Sequence, residues 1–488
     1  MYSMLIHVTV WRRFGKAFAA IAAAVNIGYS PISHAQSLAY LFDMARGGEP
    51  TYLGARANVE ASQARKRQAL GALLPQVSLS ANTNINDRDY ATRNTQTPSM
   101  QDRYNSNSGQ LNITQPLWRY ANIAGLHQAE AAAKQAEHQL AGAEQDLLAK
   151  LATAWFDVLA ARDAVVYSAQ QVAAMRRQWE MMQRGAEHGT ASVPQAEEAK
   201  AKYDQAQAES VAAETDSRIK KAALEQLVGS LDELSPPVLH DDAVPASLGV
   251  DSLDKWTQAL ETGNPSLLAA LRAFEAAGNE VSKQRAGHQP TLDLVANYSK
   301  NSQATGGFPG QAGYDIKQNS IGVQFSVPIF SGGTQSAKVD EAVATKEKAR
   351  QELETARRAA HFAAKQAWFG WHGAAARAQA SIQGVHSGKL ALQAARRGVD
   401  TGLKTEYDVL QAEQQLAAAR RDLRRARYDQ IVSHLKLKAA AGAVTAEDVI
   451  AVDRLFAAAV AQPSPTPPLV PPHTPERPQD AVRAGTSI

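Results

Sequence analysis

The amino-acid sequence predicts a mostly α-helical fold with a small β-part, built from two copies of one unit. Three observations predict it: an internal repeat, two very long segments free of proline, and four segments of alternating polarity. Pro75 recurs as Pro290, 215 positions later, and Ala154-Trp155-Phe156 recurs as Ala367-Trp368-Phe369, 213 positions later. Because an offset of 212–215 holds over about 190 residues, we infer duplication of one structural unit.

Residues 1–35 are predicted to be an export signal. Arg12, Arg13 and Lys16 precede an apolar stretch, and Ser33-His34-Ala35 is a plausible cleavage site with small residues. The apolar stretch is shorter than the roughly 20 residues that cross a bilayer as a helix. A buried N-terminal helix is the alternative interpretation.

Charge and cysteine content narrow the function further. The formal net charge of +3 falls to zero once the three basic residues of the signal are removed, so the basic balance does not indicate a nucleic-acid partner. The chain has no cysteine, which excludes disulfides, thiolate metal sites and a lipid-modified N-terminal cysteine.

Each unit is predicted to begin with an Ala-rich helix, followed by two strands. The helices cover about 38–73 and 253–285, and Pro75 and Pro290 end them because proline disfavours helix in the residue before it. Alternating polarity, as at Val77 and Leu79, then predicts strands. The strands cover about 76–86, 108–117, 290–300 and 318–329, joined within each unit by long polar loops.

The second half of each unit is predicted to be a very long helical hairpin. Residues 121–187 and 336–400 contain no proline, and such helices would be about 100 Å long. Leu148, Leu151 and Trp155 follow coiled-coil spacing. Gly189 and Gly402 end these helices, and returning helices cover about 195–228 and 406–441. Placed end to end, the leading and returning short helices of a unit have together about the length of its one long helix.

The domain organisation follows from these elements. Repeat 1 covers 36–230, a proline-containing linker covers 231–251, and repeat 2 covers 252–442. The linker and the segment 443–461 are predicted to lie at the equator, where the short helices meet. Residues 462–488 form a proline-rich tail that is predicted to be disordered.

Four strands cannot close a membrane barrel. An open sheet edge leaves backbone groups unsatisfied in lipid, and the smallest spanning barrels have eight strands. Two chains would supply eight strands and three would supply twelve, so the strand number predicts an oligomer and leaves dimer and trimer open.

The ordered set of features resembles the TolC-type outer-membrane factor family. The set includes the signal, the duplicated unit, Leu117-Trp118 and Ile329-Phe330 after the strand-ending prolines, and Gly332-Gly333. The resemblance implies a homotrimer with a twelve-stranded transmembrane β-barrel above an α-barrel of coiled-coil helices. It further implies a location in the outer membrane of a Gram-negative bacterium, a tunnel across the periplasm, and recruitment by a periplasmic adaptor and an inner-membrane ABC or proton-driven pump.

The hairpin tips are the predicted functional sites. Residues expected to contact the adaptor are Gly189, Thr190, Ser192, Gly402, Leu403 and Thr405. Residues expected to line the periplasmic aperture are Gln195, Glu197, Glu198, Lys404, Glu406, Asp408 and Gln411. In the resembled family an arginine, a tyrosine and aspartates hold the aperture closed. Here Lys404 stands at the arginine position and Val399 at the tyrosine position, and lysine cannot form arginine's bidentate fork, which predicts a looser lock.

Further residues and the overall function complete the prediction. Trp118, Tyr120 and Phe330 are expected to form an aromatic belt at the membrane boundary, with core packing as the alternative for Phe330. No catalytic motif or cofactor site is recognised, so the chain is expected not to be an enzyme. We expect an export channel for type I protein secretion, which the missing lipidation cysteine favours. Small-molecule efflux is the alternative, and a soluble periplasmic coiled-coil scaffold is the rival of another class.

Overall fold

The computed structural model describes residues 37–91, 100–231, 239, 252–306 and 311–460. The predicted signal, most of the linker and the proline-rich tail lie outside the described residues. Repeat 1 contains α1 (Leu38–Gly48), α2 (Pro50–Gly71), β1 (Gln76–Tyr90), β2 (Met100–Trp118), α3 (Tyr120–Glu187) and α4 (Val193–Val228). Repeat 2 contains α5 (Leu253–Gly263), α6 (Pro265–Arg285), β3 (Thr291–Thr305), β4 (Ala312–Ser326), α7 (Thr334–Asp400) and α8 (Glu406–Ala440), and is followed by α9 (Ala446–Val460).

The described elements confirm the predicted fold class, which is mostly helical with a minor β-part. The four strands form one antiparallel sheet in the order β1-β2-β3-β4. The long helices α3 and α7 contain 68 and 67 residues, so each is about 100 Å long. Within the described residues, no helix combines the length and apolar character needed to cross a membrane.

The leading helix of each unit is broken, so the prediction of one continuous helix was wrong. Pro50 and Pro265 each begin a new helix, because proline lacks the N–H that would continue the hydrogen bonding of the preceding one. The residue before each proline caps the new helix: Glu49 accepts from the N–H of Tyr52 at 2.6 Å, and Asn264 caps α6 in the same way.

All four strands extend further into the polar segments than the sequence predicted, and β4 begins at Ala312, six residues before its predicted start. β1 continues to Tyr90 and β2 begins at Met100, while β3 continues to Thr305. Polar side chains pair across β1 and β2, where Arg88 contacts Asp102 at 2.5 Å. Such cross-strand pairs stabilise a sheet without apolar residues, which is why apolar alternation underestimated the strands. At its other end, β4 stops at Ser326, three residues before its predicted end.

The main core lies midway along the long helices. Trp155 and Phe156 of α3 are almost fully buried there among apolar residues of α1, α4, α8 and α9. α9 also holds the start of α1, because Asp453 accepts hydrogen bonds from the N–H groups of Leu38 at 2.7 Å and Ala39 at 3.0 Å. The core therefore joins the first and last described helices.

Candidate functional site at the hairpin tips

The first tip is a tight turn between α3 and α4 that closes on one carbonyl. The Gly185 oxygen accepts from the N–H groups of Thr190 at 2.8 Å and Ala191 at 3.0 Å. Gly189 has a φ of +74°, a left-handed conformation that favours glycine. A Cβ atom on Gly185 would lie 3.0 Å from the Cβ of Ala191, so the turn leaves little room at this residue.

The second tip, between α7 and α8, repeats the same turn. The Gly398 oxygen accepts from the N–H groups of Leu403 at 2.8 Å and Lys404 at 3.0 Å, and Gly402 has a φ of +72°. A Cβ atom on Gly398 would lie 2.8 Å from the Cγ of Lys404. The aliphatic part of Lys404 therefore lies against Gly398, where a side chain larger than that of glycine would not fit without a shift.

Asp408 and Gln195 occupy equivalent positions and hydrogen-bond within their own tips. The N–H of Thr405 donates to Asp408 Oδ2 at 2.8 Å, and the Thr405 hydroxyl contacts the same oxygen at 2.8 Å. Likewise, the N–H of Ser192 donates to Gln195 Oε1 at 2.9 Å. These are helix N-terminal capping interactions. Sequence analysis singled out both residues for the aperture but missed this capping role.

The hydrogen bonds also set the charge of Asp408. The backbone N–H and the hydroxyl of Thr405 lower the pKa of Asp408, and the positive charge of Lys404 adds to this effect. The carboxylate is therefore held ionised beside Lys404. Glu406 and Gln411, which lie on either side of Asp408 on the same helix, are exposed.

The acidic residues of the first tip have a cationic neighbour that sequence analysis missed. Glu198 Oε1 lies 2.7 Å from Lys202 Nζ, one turn further along α4. The hydrogen bond from Lys202 lowers the pKa of Glu198. Glu197 is exposed beside this pair. The spacing of four residues between Glu198 and Lys202 is the signal that could have found the pair.

The aromatic residues predicted for the membrane boundary lie at or just beyond the ends of β2 and β4. Trp118 is 51% exposed, Phe330 is 88% exposed, and Tyr120 begins α3. Arg119 lies between Trp118 and Tyr120 in the sequence. It donates two hydrogen bonds to the buried carboxylate of Asp293, at 2.7 and 2.5 Å. This ion pair fastens the start of α3 to β3, and sequence analysis missed it. The membrane-belt role of the aromatic residues stays a prediction.

A second buried carboxylate lies between α3 and α8. Asp163 accepts from Arg424 at 3.2 Å and from the Tyr428 hydroxyl at 2.9 Å. Burial raises the pKa of Tyr428, and the neighbouring carboxylate raises it further. Sequence analysis missed this cluster too. A position-by-position comparison of the repeats could have found it, because repeat 2 has Ala376 where repeat 1 has Asp163.

The sequence profile of the outer membrane efflux protein family matches residues 41–230 and 256–443, which are the two repeats. The chain belongs to this family. Its members are outer-membrane channels, which are not enzymes. The chain is accordingly an outer-membrane channel protein of a Gram-negative bacterium that spans the periplasm and acts in efflux or type I secretion.

Relatives of this outer membrane efflux protein include secretion components. The outer membrane protein TolC of Vibrio cholerae is 30% identical, with 86% of this chain and 93% of the relative covered. The alkaline protease secretion protein AprF of Pseudomonas aeruginosa is 26% identical, with 84% and 85% covered.

Solved structures share the fold at lower identity. The outer-membrane channel OprN superimposes with a TM-score of 0.69 at 17% identity, covering 83% of this chain and 90% of OprN. The outer membrane protein VceC of Vibrio cholerae superimposes with a TM-score of 0.66 at 21% identity, covering 83% and 96%. The predicted fold is thereby confirmed.

Proposed function

We propose that three copies of this chain form the outer-membrane channel of a type I protein secretion system. The four-stranded sheets of the copies join into a twelve-stranded barrel, and the helices form a tunnel across the periplasm. A periplasmic adaptor and an inner-membrane ABC pump, or in the alternative a proton-driven pump, deliver the cargo. The proposal also includes four segments as the sequence predicts them. Residues 1–35 are an export signal, segments 231–251 and 443–461 lie at the equator, and residues 462–488 form a disordered tail.

The main support for a channel built from several copies is a sheet whose two outer strands lack a partner on one side. β1 and β4 are its outer strands, and each has an edge without a neighbour in the described part of the chain. Leu79 of β1 and Ile321 of β4 are 78% and 77% exposed. A long, apolar and unpaired edge is a template for pairing with another chain. Joining β4 of one copy to β1 of the next removes every edge when the ring closes.

Protein cargo is favoured by the names of two relatives. AprF is described as an alkaline protease secretion protein, and PrtF of Dickeya chrysanthemi, 28% identical over 83% of this chain, as a proteases secretion protein. Small-molecule efflux is the second candidate, supported by the family description itself.

One experiment separates the two cargo classes. The chain is expressed, with its cognate adaptor and pump, in a host whose own channel of this family has been deleted. We expect export of a type I protein substrate into the medium to be restored, while drug susceptibility stays that of the deletion host. Restored drug resistance without protein export would favour small-molecule efflux. An outer membrane that lacks the protein would contradict the channel itself.

Lys404 and Asp408 are proposed to restrict the periplasmic aperture. Replacing Lys404 with alanine is expected to raise single-channel conductance in planar bilayers, because a cation ring and its links to neighbouring carboxylates are lost. Asp408→Asn is expected to act in the same direction while keeping an oxygen that can cap α8. Lys389→Ala, on α7 and away from the tips, serves as the control. If neither variant at the tip changes conductance, these residues do not restrict the aperture.

A further inference from the structure

A groove with an excess of positive charge runs along the middle of the long helices. Two adjoining cavities, of about 450 and 260 Å³, share Thr153, Asp157 and Lys436 in their lining. Basic side chains outnumber acidic ones by two in the combined lining. The acidic residues are Asp146, Asp157 and Asp429, and the basic residues are Lys150, Lys220, Arg377, Arg425 and Lys436. We call this surface the basic groove.

Three basic side chains of the groove have no ion-pair partner. Lys220 Nζ lies 3.3 Å from a carboxylate oxygen of Asp157, which neutralises this lysine. Within the described part of the chain, Arg377, Arg425 and Lys436 form no ion pair, and all three residues are exposed. Their charges are therefore open to an anionic ligand that enters the groove.

The basic groove lies on the face of the helices opposite the main core. Leu151 and Trp155 of α3 are buried in this core, beneath α1 and α9. By contrast, Lys150, Thr153 and Asp157 of the same helix line the groove. In the proposed trimer the long helices form a wall one helix thick. If α1 and α9 faced inward, each copy would place two further helices in the bore, so the basic groove lines the bore.

The spacing of residues along α8 leads to the same orientation. α7 and α8 pack together as a hairpin, and a face of a coiled coil recurs every seven residues. Arg425 follows Gln411 by 14 residues, and Lys436 follows Asp408 by 28 residues. Because Gln411 and Asp408 are the residues expected to line the aperture, Arg425 and Lys436 face the same bore. They lie about 25 and 40 Å from Asp408 along the helix, well beyond the aperture.

The duplicated unit indicates that the helical hairpin does not need these charges. At the offset of 213 that relates the two hairpins, every basic residue of the groove has an uncharged counterpart in the other repeat. In the order given above, the counterparts are Ala363, Ser433, Ala164, Ala212 and Ala223. Because small residues at these positions are compatible with the same fold, packing does not explain the basic side chains. The basic groove occurs once in each chain and three times around the proposed channel.

We infer that the basic groove binds an extended, carboxylate-rich segment of the exported polypeptide as it passes through the tunnel. Arg425 and Lys436 are 11 residues apart on α8, which is about 16 Å. An extended chain rises about 3.3 Å per residue, so carboxylates about five residues apart span the same distance. This inference rests on the proposed function and specifies the chemistry of the cargo that the tunnel recognises.

The binding is expected to be brief, as passage through a channel requires. Each pair of exposed charges contributes little to the free energy of binding and is weakened by salt. Binding sites along a pore must hold the cargo weakly enough to release it. Several exposed cations at separate points along the bore therefore suit a segment that moves on, rather than a ligand that stays.

Single-channel current tests this inference. The full chain, purified as a trimer in detergent, is inserted into planar bilayers, and a peptide of ten glutamates is added on the side of the hairpin tips. We expect brief blockades of the current at about 0.1 M KCl that are lost at about 1 M KCl, where the charges are screened. A peptide of ten glutamines, which has the same length and no side-chain charge, should cause none.

Variants assign the blockades to the basic groove. Arg425→Gln combined with Lys436→Gln is expected to shorten them about tenfold, because two attracting charges are lost from each chain. Arg425→Lys combined with Lys436→Arg keeps both charges and should retain them. Lys389→Gln removes an exposed lysine of α7 outside the groove and should leave them unchanged. Elution of each variant as a trimer shows that it has assembled.

Two results would overturn the basic groove as a polypeptide site and leave the channel intact. The first is a set of blockades that the neutralised double variant does not shorten. The second is an equal block by free glutamate at the same carboxylate concentration, which would show that a single small anion is sufficient. A protein that forms no channels in the bilayer would instead contradict the proposed function.

Discussion

Replacing Arg119 with alanine is expected to lower the free energy of unfolding by about 1–3 kcal/mol, the penalty for leaving a buried acceptor without its hydrogen-bond partner, since the Arg119 side chain is itself 40% exposed. The Asp293 side chain is only 6% exposed, and its two oxygens accept the two hydrogen bonds from Arg119. Without the guanidinium, a buried carboxylate stays without a compensating charge. The midpoint of unfolding, followed by circular dichroism in detergent, measures the loss.

Matched variants distinguish the contribution of the ion pair to stability from the separate contributions of its two side chains. Asp293→Ala should cost less than Arg119→Ala, because the Arg119 side chain is 40% exposed and can turn to water. The double variant should lose less free energy of unfolding than the two single variants lose in sum. A double-mutant cycle measures this difference as the coupling energy of the pair. Equal and additive losses would show that the two side chains act independently.

Acidification between pH 6.5 and 4 is expected to destabilise the protein through His434. This side chain is 5% exposed, and among the described residues neither ring nitrogen has a hydrogen-bond partner. Burial and, to a smaller extent, the charge of Lys438 lower its pKa to about 4, while the charge of Asp448 opposes the shift.

The sign of the effect follows from proton binding. An unfolded histidine has a pKa near 6.5, so below this pH the unfolded chain binds a proton that the folded chain binds only near pH 4. Stability is therefore complete above pH 6.5 and falls as the pH drops to 4, by roughly 3 kcal/mol.

A variant without an ionisable group at this position isolates the contribution. His434→Leu should unfold with a shallower pH dependence between 6.5 and 4, as measured by urea unfolding at a series of pH values. His434→Gln, which is neutral throughout, should share this dependence even if it is less stable overall. An unchanged slope in both variants would exclude His434 as the source of the acid sensitivity.

Local signals in the sequence were sufficient for the long helices and their turns. The absence of proline over 121–187 and 336–400, followed by Gly189 and Gly402, predicted α3, α7 and both tips. These features act over a few residues: proline removes a backbone donor, and glycine permits a positive φ. The tips of the candidate site were therefore accessible from the sequence.

The breaks in the leading helices and the full length of the strands were not predicted, because their local sequence signals are weak. The breaks at Pro50 and Pro265 were overlooked because the Ala-rich pattern continues across them, and the caps by Glu49 and Asn264 became visible only in the folded chain. The polar extension of β1 and β2 carried little apolar alternation. Cross-strand hydrogen bonding, rather than burial of one face, holds these residues in the sheet.

By itself, the sequence determined the duplication, the fold class, the long hairpins, the tip residues and the need for more than one chain. These follow from periodicity, from proline and glycine, and from the number of strands. Only the tertiary structure decided that Asp408 caps its own helix, that Arg119 binds Asp293, and that Arg424 binds Asp163 while their counterparts are exposed. Residues 174 and 261 positions apart meet only after folding, and burial of their charges depends on which helices and strands pack together.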